Sequence, residues 1–196
     1  MLPLAPLPDL IEWLEATTTP GLIIGGLAVA LLARPRLTHD LDLLVLLPED
    51  QWPRFVEAAR RYGFRPRIKN ALALAHEARM LLMRHTKTGI EVDVSLGNLP
   101  FENEAVARGI KVDIAGVTAP LASPEDLVIM KGVAGREQDL LDIDSIIAVH
   151  PHLDVRRVRR WLRVFAEALD RPEILTAVAM RLARGRKPPR HRKRKK

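Results

Sequence analysis

The stretch L-I-I-G-G-L-A-V-A-L-L-A-R-P-R-L-T-H-D-L-D-L-L-V-L-L, residues 22–47, constrains the chain more than any other. Leu22 to Ile24 is a short apolar run of β type that enters two glycines, Gly25 and Gly26. The L-A-V-A-L-L-A that follows is apolar on every side, as in a buried helix, and Pro35 stops it. Asp40 to Leu47 opens with alternation and becomes continuously apolar, the pattern of a strand whose beginning is functional and whose body lies inside a sheet.

Asp40 and Asp42 stand at i and i+2 of that strand, so both project from one face while Leu41 and Leu43 point to the other. Two carboxylates this close in an apolar setting repel each other, and burial raises the cost. A divalent cation relieves both problems. Hard oxygen ligands suit Mg²⁺ or Mn²⁺, which take one or two protein carboxylates and complete their shell with water and substrate phosphate. An edge strand with a solvated face would also read D-x-D; the glycine pair upstream adds the second element. Glycines at a strand-to-helix junction let backbone N–H groups approach a phosphate, and the helix N-terminus favours an anion. A tight turn needing positive φ is the purely structural alternative for the same pair. Together the two elements describe a phosphate cradle beside a metal site.

Elsewhere, Asp9 to Ala16 reads as a short amphipathic helix capped by Asp9, and Glu49 to Tyr62 as a helix with a polar outer face. Phe64 to Ile68 reads as a short strand, and Ala71 to Ala78 as one or two helical turns. Met80 to His85 and Ile90 to Leu96 flank T-K-T-G, which predicts an antiparallel hairpin. Ile110 to Ile114 and Val117 to Ala119 form a second, smaller one. S-P-E-D then opens a helix with Ser123 as N-cap, Pro124 at the first helical position and two acids in the first turn. From there to about Arg184 the pattern is helical, with breaks at Gly132 to Gly135, near Pro151 and at Pro172. Asp139 and Asp142 share a helix face with Arg136 and read as packing partners.

The absence of cysteine among 196 residues excludes disulfides, a thiolate nucleophile and Cys-ligated metal sites, and makes the cytoplasm the expected location. Prolines in the opening M-L-P-L-A-P-L-P-D-L predict no secretion signal. The longest apolar run, Gly21 to Ala33, is shorter than the ~20 residues of a membrane span. Charge is uneven: of the net +7, nine positive charges fall between Arg184 and Lys196, which leaves the preceding residues at −2. That terminal run reads as a disordered basic tail able to attract RNA through counterion release. Arg156, Arg157, Arg159, Arg160 and Arg163 crowd one helix, either as a solvated face or as a binding surface. Walker A, dinucleotide-binding, zincin and nucleophile-elbow motifs are missing.

The run I-I-G-G through D-L-D-L-L-V resembles the nucleotidyltransferases of the DNA polymerase β-like superfamily, with a flavour of the small bacterial and abortive-infection toxin types. In these, R-x-T-x-D-x-D often introduces the aspartates, here Arg36, Thr38, Asp40 and Asp42. The segment A-S-P-E-D-L-V-I-M-K-G-V-A-G-R-E-Q-D-L-L-D-I is similar to the one that follows the sheet in such proteins. The likeness spans roughly residues 20 to 145. It implies an α/β (α+β) fold with a mixed sheet flanked by helices, organised as a core over 1–120, a helical part over 121–183 packed on it, and the tail over 184–196.

The resemblance also implies a third carboxylate on a neighbouring strand. Asp93 in I-E-V-D-V-S-L is the best match, and Glu91, on the same face, is its competitor. Asp40, Asp42 and Asp93 would then hold Mg²⁺ or Mn²⁺, with Asp93 helping to deprotonate an attacking hydroxyl. Gly25, Gly26, Arg36, Thr38 and Lys131 would meet the NTP. The second glycine departs from the serine that many members place there, so binding at that point would rest on backbone groups. The implied activity is transfer of a nucleoside monophosphate from an NTP to an acceptor hydroxyl on RNA or tRNA, protein or a small molecule, with release of pyrophosphate. The alternative is a non-catalytic nucleotide- or RNA-binding relative, and a toxin type would imply a cognate antitoxin as partner.

Overall fold

The computed structural model describes residues 2–185, and the chain divides into two compact units, Met1–Ser123 and Pro124–Lys196. The first is built on one mixed sheet. In chain order its elements are α1 (Leu7–Ala16), β1 (Gly21–Ile24), α2 (Gly25–Leu32), β2 (Asp40–Leu46), α3 (Trp52–Ala59), β3 (Phe64–Pro66) and α4 (Ala71–Ala78). There follow β4 (Met80–His85), β5 (Glu91–Gly97), α5 (Pro100–Ala107), β6 (Ile110–Ile114) and β7 (Val117–Leu121). The strand order is β3-β4-β5-β2-β1-β7-β6, which makes β2 the middle strand rather than an edge. It runs antiparallel to β1 and parallel to β5, with Asp42 opposite Ile24 on one side and Asp93 on the other. Both expected hairpins form, β4 with β5 and β6 with β7.

The position of β2 explains its composition. Leu41, Leu43, Leu44 and Val45 are all buried, because both faces of the strand's body are covered. Aromatic packing closes the core near the other end of the sheet: Trp13 stacks on Phe55 at 4.2 Å and on Phe64 at 5.3 Å, and its indole N–H donates to the Phe55 carbonyl over 3.1 Å.

Three local expectations need correction. Helix α1 begins at Leu7 with Pro6 before it, so Asp9 is in the first turn and not the cap; its carboxylate instead meets buried His85 Nε2 at 2.9 Å. The single helix expected over Glu49 to Tyr62 is an α-helix between two 3₁₀ turns, Glu49–Gln51 and Arg60–Tyr62. Helix α5 has no counterpart in the reading of the sequence. Its signal is Pro100 in the first turn with Glu102 two residues on, whose carboxylate accepts from the backbone N–H groups of Asn98 and Leu99.

The second unit consists of α6 (Pro124–Ala134), α7 (Glu137–Val149), α8 (Val155–Ala168) and α9 (Glu173–Gly185), broken where expected. Leu127, Ile129, Ile143, Ile146, Val158, Leu162 and Val178 are buried. A methyl group at Gly132 would lie 2.9 Å from both Leu162 and Val178, so this glycine permits close helix packing. On α8, Arg156, Arg159, Arg160 and Arg163 are exposed, whereas Arg157 is buried and paired at 2.8 Å with fully buried Asp126. The arginine cluster is therefore not one solvated face. The expected tail begins two residues inside α9, and residues 186–196 lie outside the described ones. Among the described residues no helix is long and apolar enough to cross a membrane.

Candidate active site

The site forms where β1 ends and β2 begins. Alternation along β2 puts Leu41 and Leu43 into the core and leaves Asp40 and Asp42 on the opposite face. Gly25 has φ +64°, a conformation that side chains rarely adopt, and a methyl placed on it would sit 1.8 Å from Asp42 Oδ2. The Asp42 carboxylate thus occupies the space that a side chain at Gly25 would need. Next to it, a methyl on Gly26 would lie 2.7 Å from Thr38 Oγ1 and 2.8 Å from an Arg36 guanidinium nitrogen. Thr38 is buried, and its hydroxyl donates to Asp40 Oδ1 over 2.9 Å. The glycine pair, Arg36, Thr38, Asp40 and Asp42 are in this way one contiguous structure, with each glycine matched to a group of the R-x-T-x-D-x-D segment.

On β5, Glu91 and Asp93 share that face and stand beside Asp40 and Asp42 in register. The two competitors for the third carboxylate differ in their partners. Glu91 has both oxygens engaged, Oε1 by Arg84 at 2.7 Å and Oε2 by Arg67. Its carboxyl is held below the usual range, chiefly by the Arg84 hydrogen bond. Asp93 is adjacent to Asp42 and accepts from Arg67 through Oδ1. Burial pushes its carboxyl above the usual range; Arg67 opposes this, and the charges of Asp40 and Glu91 add to it.

Arg67 is the functional-site residue that sequence reasoning missed. It follows β3 in F-R-P-R-I-K, one arginine among many, and reaches β5 because β4 lies between them. The available signal was the Glu91/Asp93 pair itself, since two carboxylates on one strand face call for a positive partner. Beside these residues, His39, Asp40, Thr88, Gly89, Ile90 and Glu91 line an open cavity of about 360 Å³.

Lys131 belongs to the second unit, where its ammonium lies 2.8 Å from Asp139 and 3.1 Å from Asp142, all three buried. Arg136 adds a second partner to Asp139 at 2.7 Å. Burial alone would raise the Asp139 carboxyl, but the hydrogen bonds from Arg136 and Lys131 outweigh it and the net shift is downward. The expected packing role of Asp139, Asp142 and Arg136 therefore includes Lys131.

Among the described residues no three His, Asp or Glu side chains converge as a metal-ligating group; Asp93 meets Arg67 instead. The donor set still fits a hard divalent cation: carboxylate oxygens from two adjoining strands, beside a glycine whose missing side chain leaves room for Asp42.

Solved structures share this architecture. The chain is similar to the lincosamide antibiotic adenylyltransferase LnuA in its lincomycin-bound form, at 13% identity over 74% of this chain and 96% of that one, with a TM-score of 0.53. An antigenic nucleotidyltransferase-like protein from Paracoccidioides brasiliensis matches at 17% identity over 88% and 90% of the two chains, also at 0.53. The antibiotic-resistance factor ANT(2'')-Ia matches at 13% identity over 92% and 91%, at 0.51. No curated protein sequence gives a significant match. The fold is thus shared with these nucleotidyltransferase structures. The chain belongs to the family described as nucleotidyltransferase of unknown function (DUF6036), whose model matches residues 9–176. It is a nucleotidyltransferase.

Proposed function

We propose that this protein transfers a nucleoside monophosphate from an NTP to an acceptor hydroxyl, releasing pyrophosphate, with a divalent cation held by Asp40, Asp42 and Asp93. The observation that carries the reading is the interlock of Gly25 with the Asp42 carboxylate, on a strand whose Asp42 stands in register with Asp93. It ties a phosphate-accessible backbone to the carboxylate set in one piece of structure. A bound Mg²⁺ or Mn²⁺ would supply Lewis-acid stabilisation of the attacking and leaving oxygens of an in-line displacement. The protein's own groups do the rest. Backbone N–H groups at the start of α2 point toward an incoming phosphate, aided by the helix dipole. Thr38 orients Asp40 by its hydrogen bond, and Arg36 is assigned to the triphosphate; Lys131, expected there from the sequence, is instead committed to Asp139 and Asp142 within the second unit. Asp93 is assigned to accept the proton of the attacking hydroxyl.

The acceptor class is the finer part of the proposal. LnuA and ANT(2'')-Ia are antibiotic-directed by name, and the small-molecule class enters on that basis. The basic run from Arg184 supports an RNA acceptor. The test is incubation with Mg²⁺, α-labelled NTPs and, separately, cellular RNA, cellular protein and aminoglycoside or lincosamide hydroxyl compounds. Label should appear in one class with the wild type and fall at least about a hundredfold in Asp40→Asn and Asp42→Asn. Equal labelling by folded variants would refute the carboxylate assignment; no label with any acceptor would refute transfer.

A further inference from the structure

Arg67 is placed between two demands. Its backbone N–H donates to the Leu82 carbonyl over 2.8 Å, which extends the β3–β4 ladder by one bond and fixes where its side chain starts. Leu82 is the β4 neighbour of Asp93, so the guanidinium crosses β4 to reach the carboxylate face of β5. There Nη1 donates to Glu91 and Nη2 to Asp93, while Nε is buried without a hydrogen-bond partner. The side chain is only 19% exposed, so water does little to screen this double contact. Glu91, by contrast, already has Arg84 and does not need Arg67 to be neutralised.

The consequence is electrostatic. Asp93 is the carboxylate assigned to the metal, and a guanidinium on one of its oxygens opposes a divalent cation there. We infer that Arg67 is an internal counter-cation for Asp93: it neutralises the third carboxylate and competes with the divalent ion, so that it sets the metal affinity. Glu91 is the second anchor that keeps the guanidinium in the site when Asp93 is given up. Arg67 acts through Asp93 and is a positioning residue. The inference rests on the assignment of Asp40, Asp42 and Asp93 as metal ligands.

The test is direct Mn²⁺ binding to the full chain without nucleotide, read from the electron paramagnetic resonance signal of free Mn²⁺. Arg67→Gln should bind Mn²⁺ about tenfold more tightly than the wild type. Arg67→Lys keeps the charge but has no fork to bridge two carboxylates, so it should be intermediate, about threefold tighter; it serves also if the Gln variant fails to fold. A purely structural role would loosen binding in both. Asp42→Asn separates the two levels of the argument. If it loses Mn²⁺ while both Arg67 variants match or fall below the wild type, the counter-cation role is overturned and the metal site stands. If Asp42→Asn binds as well as the wild type, or if no version binds Mn²⁺, the metal assignment fails and this inference with it. Weaker NTP binding in Arg67→Gln with unchanged Mn²⁺ affinity would make Arg67 a triphosphate contact and also overturn the role.

Discussion

Substituting Gly25 by Ala tests the central interlock because the structure separates its two costs. The first is conformational: an alanine at φ +64° is strained by about 1 kcal/mol. The second is steric, since the new methyl falls 1.8 Å from Oδ2, 2.5 Å from Cγ and 2.7 Å from Cβ of Asp42. Either Asp42 or the β1–α2 junction must move, at about 1–3 kcal/mol. The total is about 2–4 kcal/mol, or a fall in Tm of about 5–15 °C for a chain of this size. Gly116→Ala is the internal control: its φ is +85°, and nothing lies within 4 Å of the added methyl, so it should show the conformational cost alone. Urea unfolding followed by tryptophan fluorescence reports on this unit through buried Trp13 and Trp52. In an Asp42→Ala background the carboxylate clash is gone, and the cost of Gly25→Ala should drop by about half or more. The reasoning fails if Gly25→Ala is no worse than Gly116→Ala, or if its cost is the same with and without the Asp42 carboxylate.

Three further outcomes follow from the second unit and the chain's basic end. Lys131→Met leaves buried Asp139 and Asp142 without their shared cation and should cost about 3 kcal/mol in urea unfolding; a change under 1 kcal/mol would mean that the ion-pair cluster is not structural. Because the Asp139 carboxyl is held below its usual value when folded, its stabilisation is present above the unfolded value near pH ~4 and is lost as pH falls through the lower folded value. The Tm gap between wild type and Asp139→Asn should therefore narrow on acidification below pH ~4, and a gap independent of pH would refute this. Truncation after Ala183 removes nine positive charges. If about six of them contact RNA, the salt slope of RNA binding should become shallower by about 4, and an unchanged slope would remove the terminal run from any role in recruitment.

What could be read from the sequence was what repeats or lies close along the chain. Gly25, Gly26, Asp40 and Asp42 fall within one strand–helix–strand passage, so their meeting follows from local pattern, and the structure adds only how tightly Gly25 and Asp42 interlock. Charged partners that meet through topology were hidden. Asp9 sits at a helix start, where it reads as a cap, yet its carboxylate faces a histidine 76 residues away. Arg157 reads like its four neighbouring arginines until helix packing sets it against Asp126, 31 positions earlier. At the candidate site the same rule distinguishes Glu91 from Asp93. Alternation along β5 makes them equivalent, and no spacing could rank them. The parallel register with β2 puts Asp93 beside Asp42 and Glu91 beside Asp40, and the arginines break the remaining symmetry: two guanidinium groups use up Glu91, while Asp93 keeps one oxygen clear of Arg67. On the proposed assignment the third carboxylate is selected by where β3 and β4 deliver their arginines, so the metal site would be specified partly by strands that carry none of its ligands.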